Sequence, residues 1–125
     1  MVKIFIVDDD QSLQRLYILI LKDAGFEIID TALNGKVAVE KFLSLKTKPD
    51  IILMDHRMPI KNGLDAMTEI LQIDGHEKII FASADITIKQ KALSLGACEF
   101  LDKPFKMSKL LTIIRRVANE LVIER

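Results

Sequence analysis

The feature that most limits how this chain can fold is a regular alternation along its whole length. Short apolar runs, VKIFIV at Val2–Val7, EIIDTAL at Glu27–Leu33, PDIILMD at Pro49–Asp55, KIIFA at Lys78–Ala82 and ACEFL at Ala97–Leu101, take turns with segments whose apolar residues recur at helical spacing. Runs this short, β-branched and nearly unbroken read as strands covered on both faces. Parallel strands need crossovers, and each interval of roughly 20 to 25 residues holds a segment long enough to be one. The pattern predicts a flavodoxin-like α/β fold, (βα)5: a doubly wound sheet of five parallel strands in order 2-1-3-4-5.

The helical segments carry their own punctuation. Asp10 is placed to cap the first, which runs through Leu13, Tyr17, Ile20 and Leu21 to a stop at Gly25. Asn34-Gly35 reads as a turn before the second, marked by Val37, Ala38, Phe42 and Leu45. The third follows the Met58-Pro59 break and the Asn62-Gly63 pair, with Leu64, Met67, Ile70 and Leu71 on one face. The fourth, Ile86 to Leu95, opens on Ile86, Thr87 and Ile88, whose restricted χ1 disfavours helix, so it is expected to be the least stable. Leu110, Leu111, Ile114, Val117, Ala118 and Leu121 mark the fifth.

A chain of 125 residues has room for one such domain, expected to span 1–125 without an output domain. Lys and Arg balance Asp and Glu at 18 each, which argues against direct nucleic-acid binding or an anionic membrane surface as an obligatory partner. No apolar run approaches a signal core or a membrane span, and the lone Cys98 cannot form an internal disulfide, so the expected location is cytoplasmic. Cys98 itself reads as a packing residue.

In the predicted strand order the carboxyl ends of strands one and three are neighbours, which brings Asp8 and Asp9 against Asp55. Carboxylates gathered in one crevice repel unless a cation neutralises them. A hard divalent ion such as Mg²⁺, or Mn²⁺, is the natural answer, and such an ion keeps positions open for phosphate oxygens. Strand four ends in Ser83 and strand five is followed by Lys103. A hydroxyl and an ammonium facing a metal-loaded aspartate suit an acyl phosphate on that aspartate. Asp55 is therefore the candidate phosphoryl acceptor, with Asp8, Asp9 and Asp55 as metal ligands. Each residue alone has a plainer reading as a cap or a solvated loop residue; the weight lies in their shared edge.

VDDD, PDIILMDHRMPIKNG, FASA and LDKPF, in this order and spacing, resemble the receiver domain of two-component response regulators over nearly the whole chain. The resemblance implies a single-domain phosphorylation switch, not an enzyme beyond autocatalytic phosphorylation and slow dephosphorylation. It further implies that the backbone carbonyl of Arg57 joins the metal ligands, that Ser83 is the switch hydroxyl, that Lys103 binds phosphate and that Phe100 is the aromatic switch. The Lys103-Pro104 bond is expected to be cis. The implied partners are a sensor histidine kinase or phosphotransfer protein and an output protein that the sequence does not identify. A phosphorylation-dependent homodimer through helix four, strand five and helix five is a further expectation.

The family varies two residues after the acceptor and two after the switch hydroxyl, here Arg57 and Asp85. Opposite charges at those places would face each other across the site mouth and tune phosphoryl lifetime; the alternative is two solvated charges. Two other functions stay open at this point. Asp8 and Asp10 form the D-x-D of a haloacid-dehalogenase-like phosphatase, with Asp8 as nucleophile, and a receiver-like module could dock partners without phosphorylation.

Overall fold

The computed structural model describes residues 1–124. Its elements follow the alternation: β1 (Lys3–Val7), α1 (Gln11–Asp23), β2 (Glu27–Ala32), α2 (Gly35–Ser44), β3 (Ile51–Met54), α3 (Gly63–Ile73), β4 (Lys78–Ser83), α4 (Lys89–Leu95), β5 (Glu99–Asp102) and α5 (Met107–Glu124). The strands form one parallel sheet in the order β2-β1-β3-β4-β5. The predicted flavodoxin-like architecture is the one observed.

The strands read as unbroken apolar runs because the sheet has helices on both faces. Successive residues of a strand point to opposite sides. Phe5, Val7, Ile52, Met54, Ile79 and Phe81 enter one core with Ala38 and Phe42 of α2, Leu64, Met67 and Ile70 of α3, and Ala92 of α4. Ile4, Ile6, Ile51, Leu53, Ile80, Ala82 and Leu101 enter the other with Tyr17 and Leu21 of α1 and Leu110, Ile114, Val117 and Leu121 of α5. Cys98 is half-buried against this second core, and burial pushes its thiol up to about 11, which leaves it a packing residue. Among the described residues no helix is long and apolar enough to cross a membrane.

Local chemistry sets the boundaries. Asp10 caps α1 by accepting from the Leu13 N–H at 3.1 Å, and Gly25 follows the helix at φ 96°. Asn34 and Asn62 do the same for α2 and α3, accepting from Val37 and Asp65 at 2.9 Å each. The two Asn-Gly pairs are therefore helix starts, where the Asn34-Gly35 pair had been expected as a turn. The fourth helix opens as a 3₁₀ turn at Ile86–Ile88 and continues as seven α-helical residues, with no side-chain cap at Ile88. It is the shortest helix described, in keeping with its β-branched start. Strand β5 begins two residues later than expected. Gly96 sits at φ 127° and the Ala97 N–H still bonds the Ala92 carbonyl, so the helix cap reaches Ala97, while the Cys98 N–H already donates to the Ile79 carbonyl of β4 at 2.9 Å.

Candidate functional site

Five side chains from four strand ends meet at one edge of the sheet. The β1–α1 loop begins with Asp8, 2% exposed, and Asp9, which is exposed. Asp8 is held from several sides. One carboxylate oxygen accepts from the Asp10 N–H at 2.9 Å and the other from Lys103 Nζ at 2.8 Å. Its backbone carbonyl accepts from the buried Gln14 amide at 2.8 Å, which also donates to Ala32 at 2.7 Å. Gln14 thus ties the acidic loop to the end of β2. The sequence offered little to single it out, because a Gln on an amphipathic helix normally faces water.

Asp55 follows β3 directly and is 7% exposed. Its backbone N–H donates to Val7, and one carboxylate oxygen accepts from the His56 N–H at 2.8 Å. Lys103 Nζ stands 3.5 Å from the same oxygen. Burial pushes the Asp55 carboxyl up to about 6; the Lys103 charge works against this shift and the Asp8 charge adds to it. Lys103 is thus shared between two acids and sits closer to Asp8.

The loop after Asp55 is fixed by backbone contacts. The Gly63 N–H donates to the His56 carbonyl at 2.9 Å, and a Cβ on Gly63 would collide with the Asp55 carbonyl. Gly35 meets the Lys61 carbonyl in the same way, so the start of α2 braces the same loop. Between these braces Ile60 occupies the left-handed region at φ 72°, a costly conformation for a β-branched residue, with the Lys61 N–H bonded back to Pro59 at 2.8 Å. Both glycines escaped the sequence reading because Asn-Gly is also a turn signal. A glycine directly after an N-cap Asn was the clue to close approach.

At the mouth, Ser83 is buried at the end of β4 and its hydroxyl accepts from the Asp85 N–H at 3.0 Å. Arg57 Nη2 lies 3.4 Å from Asp85 Oδ2, although the Arg57 side chain is 77% exposed. Hydrogen bonds from Thr87, together with Arg57, hold the Asp85 carboxyl below the usual carboxylate range. Thr87 is exposed and turned to Asp85, away from the acidic cluster. Phe100 is half-buried on β5, its ring stacked 6.3 Å from that of Phe81, and the Lys103–Pro104 bond is cis.

Carboxylate oxygens of Asp8, Asp9 and Asp55 lie within 4.8 Å of one another. Three hard oxygen donors around one point, one of them open to water, are a donor set that fits Mg²⁺ or Mn²⁺. Lys103 beside them supplies a fixed positive charge for an anion that joins the ion.

Known proteins resemble this chain in sequence and in fold. The sequence model described as the response regulator receiver domain matches residues 4–115. The chain is 39% identical over 119 residues to the chemotaxis protein CheY of Thermotoga maritima, covering 94% of this chain and 98% of that one. Among solved structures it resembles the CheX–CheY–BeF3–Mg complex of Borrelia burgdorferi, at a TM-score of 0.88 and 30% identity over 93% of this chain and 88% of that one. It also resembles the response regulator TrrA of Thermotoga maritima bound to Mg²⁺ and BeF, at 0.83 and 32% identity over 94% and 99%.

Proposed function

The chain belongs to the response regulator receiver family, whose general function is phosphoryl acceptance, and on that premise we propose that Asp55 is the acceptor in this CheY-like domain. The observation that carries the proposal is the meeting of Asp8, Asp9, Asp55 and Lys103 at one sheet edge. Asp8, Asp9, Asp55 and the Arg57 carbonyl would hold a divalent ion, Mg²⁺ or Mn²⁺. When bound, the ion offsets the charge of the carboxylates and of the incoming phosphoryl oxygens.

A carboxylate oxygen of Asp55 attacks phosphorus in a phosphohistidine of a sensor kinase or phosphotransfer protein. The P–N bond breaks, the imidazole leaves, and an acyl phosphate remains on Asp55. Lys103 turns from Asp8 toward the new oxygens and Ser83 donates its hydroxyl to one of them. Water later attacks phosphorus, the P–O bond to Asp55 breaks, and inorganic phosphate leaves. Beyond this turnover the domain is a signalling element and not an enzyme.

Inward movement of Ser83 makes room for Phe100, and the surface of α4, β5 and α5 changes for an output partner or a second copy. The short, 3₁₀-opened α4 suits an element of low local stability. We place the domain in the cytoplasm.

The test is labelling by acetyl phosphate. A base-labile, hydroxylamine-sensitive label that requires Mg²⁺ and maps to Asp55 by mass spectrometry is the expected result. Sustained turnover of p-nitrophenyl phosphate with a label on Asp8 would support the phosphatase reading instead.

Arg57 and Asp85 set the lifetime of the label in this scheme: they pair at 3.4 Å, and an ion pair at the site mouth would restrict the approach of the attacking water. Arg57→Ala and Asp85→Ala are each expected to speed hydrolysis by roughly three- to tenfold, and the double variant no further, since both remove one interaction. Decay of labelled protein measures it; three wild-type rates would reject the role.

A further inference from the structure

The family's switch runs through Ser83 and Phe100, but a second line of contacts leaves Asp55 in another direction. The N–H of His56 bonds the Asp55 carboxylate itself, at 2.8 Å. The His56 imidazole is half-buried against Phe81, with ring centres 6.4 Å apart and planes tilted by 42°. Phe81 in turn stacks on Phe100 at 6.3 Å and 6°. Register explains the row. Met54 pairs with Phe81 and Phe81 with Phe100, so the two phenyl rings stand side by side on one face of β4 and β5, and His56, two residues past the end of β3, adds its ring beside Phe81. Ile88 and Ala92, in and just before α4, share the core of that face with Phe81 and Phe100.

Three features make the row a mechanical link. Phe81 is fully buried, and a close-packed interior gives a ring in its position little room to absorb displacement. Nδ1 of His56 is buried without a hydrogen-bond partner among the described residues, so no bond at that atom anchors the imidazole against movement of its backbone. Phe100 has no hydroxyl to fix its far end. Phosphorylation changes the oxygen that accepts from His56, and a displaced His56 ring presses on Phe81.

Resting on the assignment of Asp55 as acceptor, we propose that His56 and Phe81 are positioning residues that couple Asp55 to Phe100 and α4 by a route that bypasses Ser83. The coupling is carried by ring packing and depends on no ionisation of His56. A physical warrant for such a route is a response that both ends share, and NMR can read it.

The probe is Mg²⁺ with beryllofluoride as phosphoryl mimic, added to wild type, Phe81→Leu, His56→Ala and His56→Phe. In wild type, shifts change at Ser83, Phe100, Ile88 and Ala92. Phe81→Leu is expected to bind beryllofluoride as wild type does and to keep the Ser83 change, while the changes at Phe100, Ile88 and Ala92 fall by about twofold or more. His56→Ala gives the same selective loss and His56→Phe restores the response, since a ring returns without the imidazole. Full-sized changes at Phe100, Ile88 and Ala92 in both Phe81→Leu and His56→Ala would overturn the proposal. A loss in Phe81→Leu alone would overturn the part assigned to His56. A wild type that does not respond at all would overturn the Asp55 assignment as well.

Discussion

Asp55→Asn is expected to lose the Mg²⁺-dependent label completely and, without metal, to be the more stable protein. The loss follows from chemistry, because an amide oxygen is a poor nucleophile and the acyl phosphate needs the carboxylate. The gain follows from burial. The folded-state carboxyl is pushed up to about 6 from an ordinary value of 3.8, so folding disfavours its ionised form. A carboxyl raised in this way destabilises the fold once ionised; its relative stability is full below pH 4 and is lost as pH rises through about 6. Asn removes the charge and can still accept from the His56 N–H. Urea unfolding in EDTA should therefore favour Asp55→Asn by about 2 kcal/mol at pH 7.5, with the difference closing toward pH 4. Equal midpoints at both pH values would mean that the acidic cluster is better solvated than its burial implies.

Gly63→Ala should produce the largest loss of stability, without touching any ionisable group. The added Cβ meets the Asp55 carbonyl and the His56 backbone, and neither is a flexible side-chain end. Either α3 retreats, breaking the Gly63–His56 hydrogen bond, or the acceptor loop is pushed out of place. A cost of about 3 kcal/mol is reasonable for an overpacked backbone contact. Labelling of the folded fraction should slow as well, because the displaced atoms belong to Asp55. A midpoint within about 0.5 kcal/mol of wild type would mean that the loop yields easily.

The strand order, the two cores and the gathering of Asp8, Asp9, Asp55, Ser83 and Lys103 were legible because each rests on a repeating signal. Apolar runs at regular intervals allow few topologies, and residues just past such runs fall on one edge. What the sequence hid were single contacts across distant segments. Nothing near Gln14 says that its amide bridges Asp8 and Ala32. Nothing near Lys103 says that it prefers Asp8 to Asp55. The Arg57–Asp85 pair was foreseeable only after the family's pattern had aligned two loops, because 28 residues separate the partners. The start of β5 shifted because the bonds that close α4 extend over Gly96 and Ala97, a backbone effect that composition does not record.

The sheet's division of the interior into two cores has a consequence for how such a chain can change over time. Tyr17, Leu21, Leu110 and Ile114 lie on one side, and Phe81, Phe100 and Ala92 on the other. Side chains in contact must drift together, whereas those separated by the strands can drift alone. One lineage can therefore rework the α1–α5 side freely while the aromatic row on the opposite side keeps its inheritance.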